Sequence, residues 1–490
     1  MAIIYVGKDT QEYKTISAAI QAATDGDTVV VGGGVYRERV NVDRAITVIA
    51  AEGEPPIIDG GWNGEETGSF APQLAVTGGG ARVAGLTIRN CPGRGVLVNA
   101  DGATVTACRI DRTYQGAMLI GDANGPQIGG VTVADCTMTR MSLSWVTERK
   151  PTNVNGSLNI HNTVDSVIRG NVLAEGWGEG INIGRGSTVR VEHNIVHSTN
   201  HVLLYFNRCQ NSVAVGNILF HIDDGRYAGR QDNYSAGIII GDEGGPSVAK
   251  WPPSSGNIIV GNVVVNAGKL FQIRNNKNNY DSQMLDTVIE GNTFVAGPCT
   301  ERGIDIQANQ QGRPHKGSVF RNNVIDFTYA RAGGDIASHG QASGIDFSGN
   351  VWSAAPPQSM RGAGDFVGDV GLIDAAAEIV RLELPDATFD IDNYRPRPGS
   401  PLVAGVLIGA LGVGGQEPPD EPDPPVDPEP DYEPVIVLLE GNLARLEEAG
   451  LAVGAAVVET HELIDRLRMA AGYVEKESKQ SCLQSLIGQQ

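Results

Sequence analysis

Basic residues are scarce in this 490-residue chain: 37 Lys and Arg stand against 57 Asp and Glu, a formal net charge of −20. A nucleic-acid partner is disfavoured, because phosphate binding needs a basic face. Cysteine is sparse as well. The six at 91, 108, 136, 209, 299 and 482 show no paired or CxxC spacing, which points to neither a disulfide framework nor a zinc site. No apolar run approaches the ~20 residues of a membrane span. The N-terminus lacks a basic region followed by an apolar core and cleavage site, so no secretory signal is expected. His193, His197 and His201 share a spacing of four, but that spacing aligns ligands only on a helix, and this stretch reads as turn and strand. No metal and no cofactor is implied.

What the chain has in abundance is glycine, 64 residues, about twice the usual share. Together with many Val, Ile, Asn and Thr it predicts numerous short strands separated by tight turns. Ser-Val-Ile-Arg-Gly-Asn-Val-Leu at 166–173, Thr-Val-Arg-Val-Glu-His-Asn-Ile-Val at 188–196 and Ser-Val-Ala-Val-Gly-Asn-Ile-Leu at 212–219 place Asn171, Asn194 and Asn217 at equal intervals of 23. A fixed period of this size marks a stacked repeat. The turn position recurs as Leu86, Cys108, Cys136, Asn171, Asn194, Asn217, Asn262, Asn292, Asn323 and Asn350. The intervals of 22 and 23 are the bare coil, and the longer ones carry insertions.

A second strand precedes the turn: Ser157–Ile160, Gly180–Ile183 and Val202–Phe206. Side chains alternate faces along a strand, which puts Ile160, Ile183 and Phe206 inward and Asn159, Asn182 and Tyr205 outward. Asn suits the turn for two reasons. It tolerates left-handed backbone angles, and stacked Asn side chains hydrogen-bond along the axis.

Residues 13–31 read as a short helix, with Ile16, Ala19, Ile20 and Ala23 on one face, then an Asp-Gly turn and a strand. Such a helix would cover an open sheet edge. Gly34-Val35-Tyr36-Arg37-Glu38 follows. This opening resembles the start of right-handed parallel β-helix proteins of the pectate lyase and pectin methylesterase superfamily, where a capping helix leads into a GxYxE turn. The expected fold class is all-β: a cap at 1–27 and a single-stranded right-handed parallel β-helix solenoid at 28–412. Pro-Arg-Pro-Gly-Ser-Pro-Leu-Val-Ala-Gly at 396–405 resembles the closing segment of such proteins.

Residues 413–434 hold eight prolines, eight acids and no base, an extended polyproline-like linker. From Tyr432 and Ile436, residues Leu439, Leu443, Leu446, Gly450, Val453, Val457, Thr460, Ile464, Leu467, Ala471 and Val474 recur in alternating steps of four and three. That is a heptad seam, and a coiled-coil helix is expected at 435–478, followed by a tail at 479–490. Self-association through Leu439, Leu443, Leu446, Val453, Val457, Ile464 and Leu467 follows.

The chemistry is sparsely marked. The pectin methylesterase catalytic motifs are absent, and Gln231-Asp232-Asn233 is the nearest approach. A calcium-dependent lyase needs clustered acids on an outward strand face, whereas Asn159, Asn182, Tyr205 and Gln272 are neutral and Asp305 is the one acid among the matched strands. The dense polar insertion 221–232 and Gly241-Asp242-Glu243 is the place to seek carboxylates for a glycosidase. Asp223, Asp224 and Asp242 are the candidate catalytic groups. Trp177, Glu179, Tyr205, Arg226, Tyr227 and Arg230 are candidate sugar contacts.

A β-helix without a secretory signal, with its own spacer and heptads, resembles bacteriophage tail spikes, tail fibres and capsid fibres. That resemblance implies a homotrimeric virion fibre that binds host-surface polysaccharide and attaches to other virion proteins through its C-terminal helix. A polysaccharide depolymerase and a passive capsid decoration fibre are the alternatives.

Overall fold

The computed structural model describes residues 1–7, 12–144, 156–222, 236–243, 251–275, 282–309, 312–382, 384–397 and 400. The chain divides into two units, 1–413 and 414–490. The expected linker, heptads and tail, with all seven seam residues named above, lie outside the described residues, as do Asp223, Asp224, Arg226, Tyr227 and Arg230.

Short Val- and Ile-rich strands stack into three all-parallel sheets of thirteen, thirteen and eleven strands, here called I, II and III in the order in which each coil visits them. One bare coil is Arg190–Glu192 in sheet I, Ile195–Thr199 in sheet II and Val202–Asn207 in sheet III. The stacking is like on like. Ile160 pairs with Ile183 and Ile183 with Phe206, while Asn159 pairs with Asn182 and Asn182 with Tyr205. Inward columns close a continuous core that becomes aromatic late in the stack, where Phe294 and Phe320 lie 6.2 Å apart and nearly parallel.

The turn asparagines form the ladder expected of them. Asn171 Nδ2 donates to Asn194 Oδ1 at 2.9 Å, and the pattern repeats from Asn194 to Asn217, Asn262, Asn292, Asn323 and Asn350. All seven are buried, so each rung satisfies groups that water cannot reach. The left-handed residue is a different one. Positive φ falls on the residue just before: Gly170 at 62°, His193 at 51°, Gly216 at 63° and Asn322 at 53°. The asparagines are there for their side chains, and glycine or a tolerant residue makes the bend.

The ends of the stack are closed by carboxylates. Helix α1 (Ile16–Ala22) buries Ile16, Ala19 and Ile20 over the first coil, and Glu38 of the GxYxE turn accepts the Ile16 and Ser17 amides at 2.8 and 3.0 Å. Those are orphan donors at the positive end of a helix, which is why an acid stands there. At the other end Asp365 accepts the Asn350 amide at 2.8 Å and the Trp352 indole at 3.1 Å, terminating the ladder.

Coil strands end at Phe366–Val367, so residues 370–397, which the sequence places within the solenoid, do something else. They run back along the outer face of sheet II as a strap. Val370, Leu372 and Tyr394 pack with Phe220, Val265, Val295 and Val351, and Phe389 stacks on Phe220 with centroids 4.4 Å apart. Arg381 pairs with Glu175, and His197 Nε2 sits 2.7 Å from the Pro385 carbonyl.

Candidate site on the outer face of sheet III

The outer face of sheet III carries a run of polar side chains. Its outward column reads Asn159, Asn182, Tyr205, Ile239, Gln272, Asp305 and Ser338 in successive coils. Two residues further along each strand a second column alternates bulk with glycine: His161, Gly184, Asn207, Gly241 and Arg274. The alternation is steric. A Cβ on Gly184 would lie 2.7 Å from His161 Nδ1, and one on Gly241 would lie 2.9 Å from the Tyr205 hydroxyl. His161 and Tyr205 thus occupy the space that Gly184 and Gly241 leave.

The first column is a buried floor. Asp305 is held by four donors, Gln272 Nε2 at 2.7 Å, Ser338 Oγ at 2.7 Å, Gln307 Nε2 at 3.0 Å and Arg302 Nη1 at 3.2 Å. A carboxylate so fully engaged is a fixed structural charge. Tyr205 is buried with Val202, Ala236 and Ile239 and donates its hydroxyl to the Gly241 carbonyl at 3.0 Å. Among the described residues its side chain is 1% exposed, so it stands within the floor and not on its surface. Asp242 is buried likewise: it is 1% exposed, and its Oδ1 accepts Ser254 Oγ at 2.7 Å, the Ser254 amide at 2.9 Å and the Arg208 amide at 3.2 Å. Burial pushes its pKa up against those bonds, and its geometry is that of a clasp between coils.

Glu179 stands at the head of the strand Ile181–Gly184, on the same side. Its Oε2 accepts Asn182 Nδ2 at 2.6 Å, which leaves the buried Asn182 Oδ1 without a donor among the described residues. Burial, reinforced by the nearby Glu243 charge, raises the Glu179 pKa to about 8, while Asn182 and Arg274 oppose the rise. At neutral pH this is mostly a protonated carboxyl. Burial and Arg185 lower His161 to about 4, so its imidazole is neutral. Trp177 is half-buried beside this strand head.

Around the floor runs a half-buried rim: Arg185, Asn207, Arg208, Glu243, Arg274, Arg302 and Gln307. Arg208 donates to the carbonyls of Glu243 at 2.8 Å and Trp251 at 2.9 Å. Burial and the Arg208 charge lower the Arg185 pKa, with Glu243 opposing; the two guanidinium groups sit one coil apart. The rim arginines escaped the sequence reading, although register marks them: Arg185 and Arg208 each follow an outward residue, Asn182 and Tyr205, by three. Glu175, grouped in sequence with Glu179, belongs to the strap side. Among the described residues no group of three or more His, Cys, Asp or Glu is placed to hold a metal ion.

Residues 74–250 match the family model described as a right-handed β-helix region. The protein is a right-handed parallel β-helix. Among solved structures this β-helix is similar to pectate lyase Pel9A at 14% identity, covering 86% of this chain and 95% of that one, with a TM-score of 0.47. It is also similar to an endo-xylogalacturonan hydrolase from Aspergillus tubingensis, at 11% identity, coverage of 75% and 99%, and a TM-score of 0.47. The Dettilon tailspike protein matches at 15% identity, coverage of 62% and 68%, and a TM-score of 0.34. At these identities the likeness is one of fold alone. No curated protein matches the chain.

Proposed function

We propose that this β-helix binds polysaccharide along the outer face of sheet III, as a virion fibre or spike recognising a host-surface glycan. The observation that carries the reading is the rim of Arg185, Asn207, Arg208, Glu243, Arg274 and Gln307 around Glu179 and Asn182. Guanidinium, amide and carboxyl groups are the donors and acceptors that pair with sugar hydroxyls and carboxylates. Arg185, Arg208, Arg274 and, at the far end of the rim, Arg302 gather cations on a chain whose net charge is −20, which favours an acidic glycan. On sheet II the outer face of the later coils is covered by the strap.

The heptads at 435–478 are the proposed element of self-association, as a homotrimer, and of attachment to other virion proteins. Deleting 435–490 is expected to leave a folded monomeric rod in light scattering. A truncated rod that stays trimeric overturns that assignment.

Cleavage is the second reading, favoured by Glu179, a carboxyl kept protonated at neutral pH beside a second acid, Glu243. Incubation with capsular polysaccharide or lipopolysaccharide, followed by assay for retained glycan, new reducing ends and unsaturated uronates, separates the outcomes. Retention without new ends supports binding, new ends lost in Glu179→Gln support cleavage, and neither with any acidic glycan rejects the proposal.

A further inference from the structure

The asparagine ladder stops at Asn171, whose Oδ1 accepts the Cys136 amide at 2.9 Å. In the two coils before it the ladder position is held by thiols. Strand register sets Thr106 against Ala134 and Arg109 against Thr137, so Cys108 and Cys136 occupy equivalent places in neighbouring coils. Both are free and buried. The Cys136 thiol donates to the Val105 carbonyl at 3.7 Å, just as Asn171 Nδ2 donates to the Val133 carbonyl. The pair thus continues the column, but with a weaker rung than an amide makes.

Adjacent parallel strands lie ~4.8 Å apart, within the Cα separation of about 4.4–6.8 Å that a disulfide spans. We propose that Cys108 and Cys136 are a disulfide site that replaces the missing rung with a covalent one when the chain meets a peroxide or a disulfide oxidant.

With hydrogen peroxide the balance is simple. The Cys108 sulfur attacks an oxygen, the O–O bond breaks, and a sulfenic acid and one water result. The Cys136 sulfur then displaces the sulfenic oxygen, which leaves as a second water, and two thiols have lost two electrons and two protons in all.

The test uses the full chain in two arms, native protein treated with hydrogen peroxide and denatured protein refolded in a glutathione redox buffer. Each is alkylated under denaturing conditions and digested. The expected product in at least one arm is a peptide pair joining Cys108 to Cys136, lighter by about 2 Da than the two free thiols and restored by reductant. Oxidised protein is expected to melt about 2–5 °C higher than reduced protein. Cys136→Asn, which extends the amide ladder, should fold, lose the link and lose the shift. Cys91, whose partner in the next coil is Thr113, is expected to stay alkylatable. Recovery of both thiols alkylated in both arms, or links scrambled to Cys91, Cys209 or Cys299, overturns the proposal.

Discussion

Sheets II and III share coils, register and core, yet their outer surfaces diverge. In the later coils sheet II presents His197, Phe220, Val265 and Val295 in one column, an apolar stripe that water would penalise and that the strap covers. Over the same coils sheet III presents Tyr205, Ile239, Gln272 and Asp305, bordered by arginines. Both columns are outward positions of equivalent strands, so the difference lies in side-chain chemistry and not in backbone. A face intended for the chain's own segment is apolar and contiguous, and a face that is polar, charged and incompletely satisfied is the one to test with ligand.

The comparison breaks most visibly at the strap. Phe389→Ala removes the ring stacked on Phe220 and is expected to cost about 3 kcal/mol, with new binding of a hydrophobic dye at sheet II. Chemical denaturation with and without dye checks both. Wild-type stability in that variant would mean that the strap rests on the face without sealing it.

A ladder mutation comes next and should affect both faces alike. Asn217→Ala leaves the Asn194 amide and side chain without their acceptor and the Val191 carbonyl without its donor. A loss of about 2–3 kcal/mol in the same denaturation assay is expected, with glycan retention unchanged at temperatures where the variant is folded.

Glu179 gives a smaller, pH-dependent contrast. Its folded pKa of about 8 lies above the ordinary 4.5, so its stabilising contribution is fully present below pH ~4.5 and is lost as pH rises toward 8, at no more than about 1.4 kcal/mol per unit. Relative to wild type, Glu179→Gln is therefore expected to gain stability progressively across that window and to level off above it. Melting temperatures at intervals from pH 4 to 9 give the curve, and a constant difference between the two proteins would contradict a protonated Glu179. The smallest effect belongs to sheet II's early coils: Arg89→Ala removes a half-exposed partner of Asp59 and should change stability by less than ~1 kcal/mol and leave glycan binding unaltered.

Much of this was legible in the sequence because a solenoid repeats its instructions. The 23-residue spacing of Asn171, Asn194 and Asn217 fixed the coil, and period-two alternation placed Ile183 inward and Asn182 outward. The helix face of Ile16, Ala19 and Ile20 was equally plain. What escaped depends on contacts between coils distant in the chain. Nothing local to Phe389 or Arg381 says that they return to Phe220 and Glu175, nearly two hundred residues earlier. Asp242 stands out in the sequence as an acid beside a polar insertion, and its burial against Ser254 is invisible there. Tyr205 is alike in this, since an outward strand position need not reach solvent. The rim arginines were missed because they follow the outward strand residues, beyond where alternation was read.

The central claim is that sheet III's outer face, and not sheet II's, meets the glycan. Its most direct measurement is the dissociation constant for an acidic polysaccharide retained by the full chain, compared for wild type, for Arg185→Ala combined with Arg274→Ala, and for Arg89→Ala. The rim variant is expected to lose at least tenfold in affinity with its melting curve nearly intact, while Arg89→Ala binds as wild type does. Equal binding by wild type and the rim variant, or loss confined to Arg89→Ala, would contradict the account.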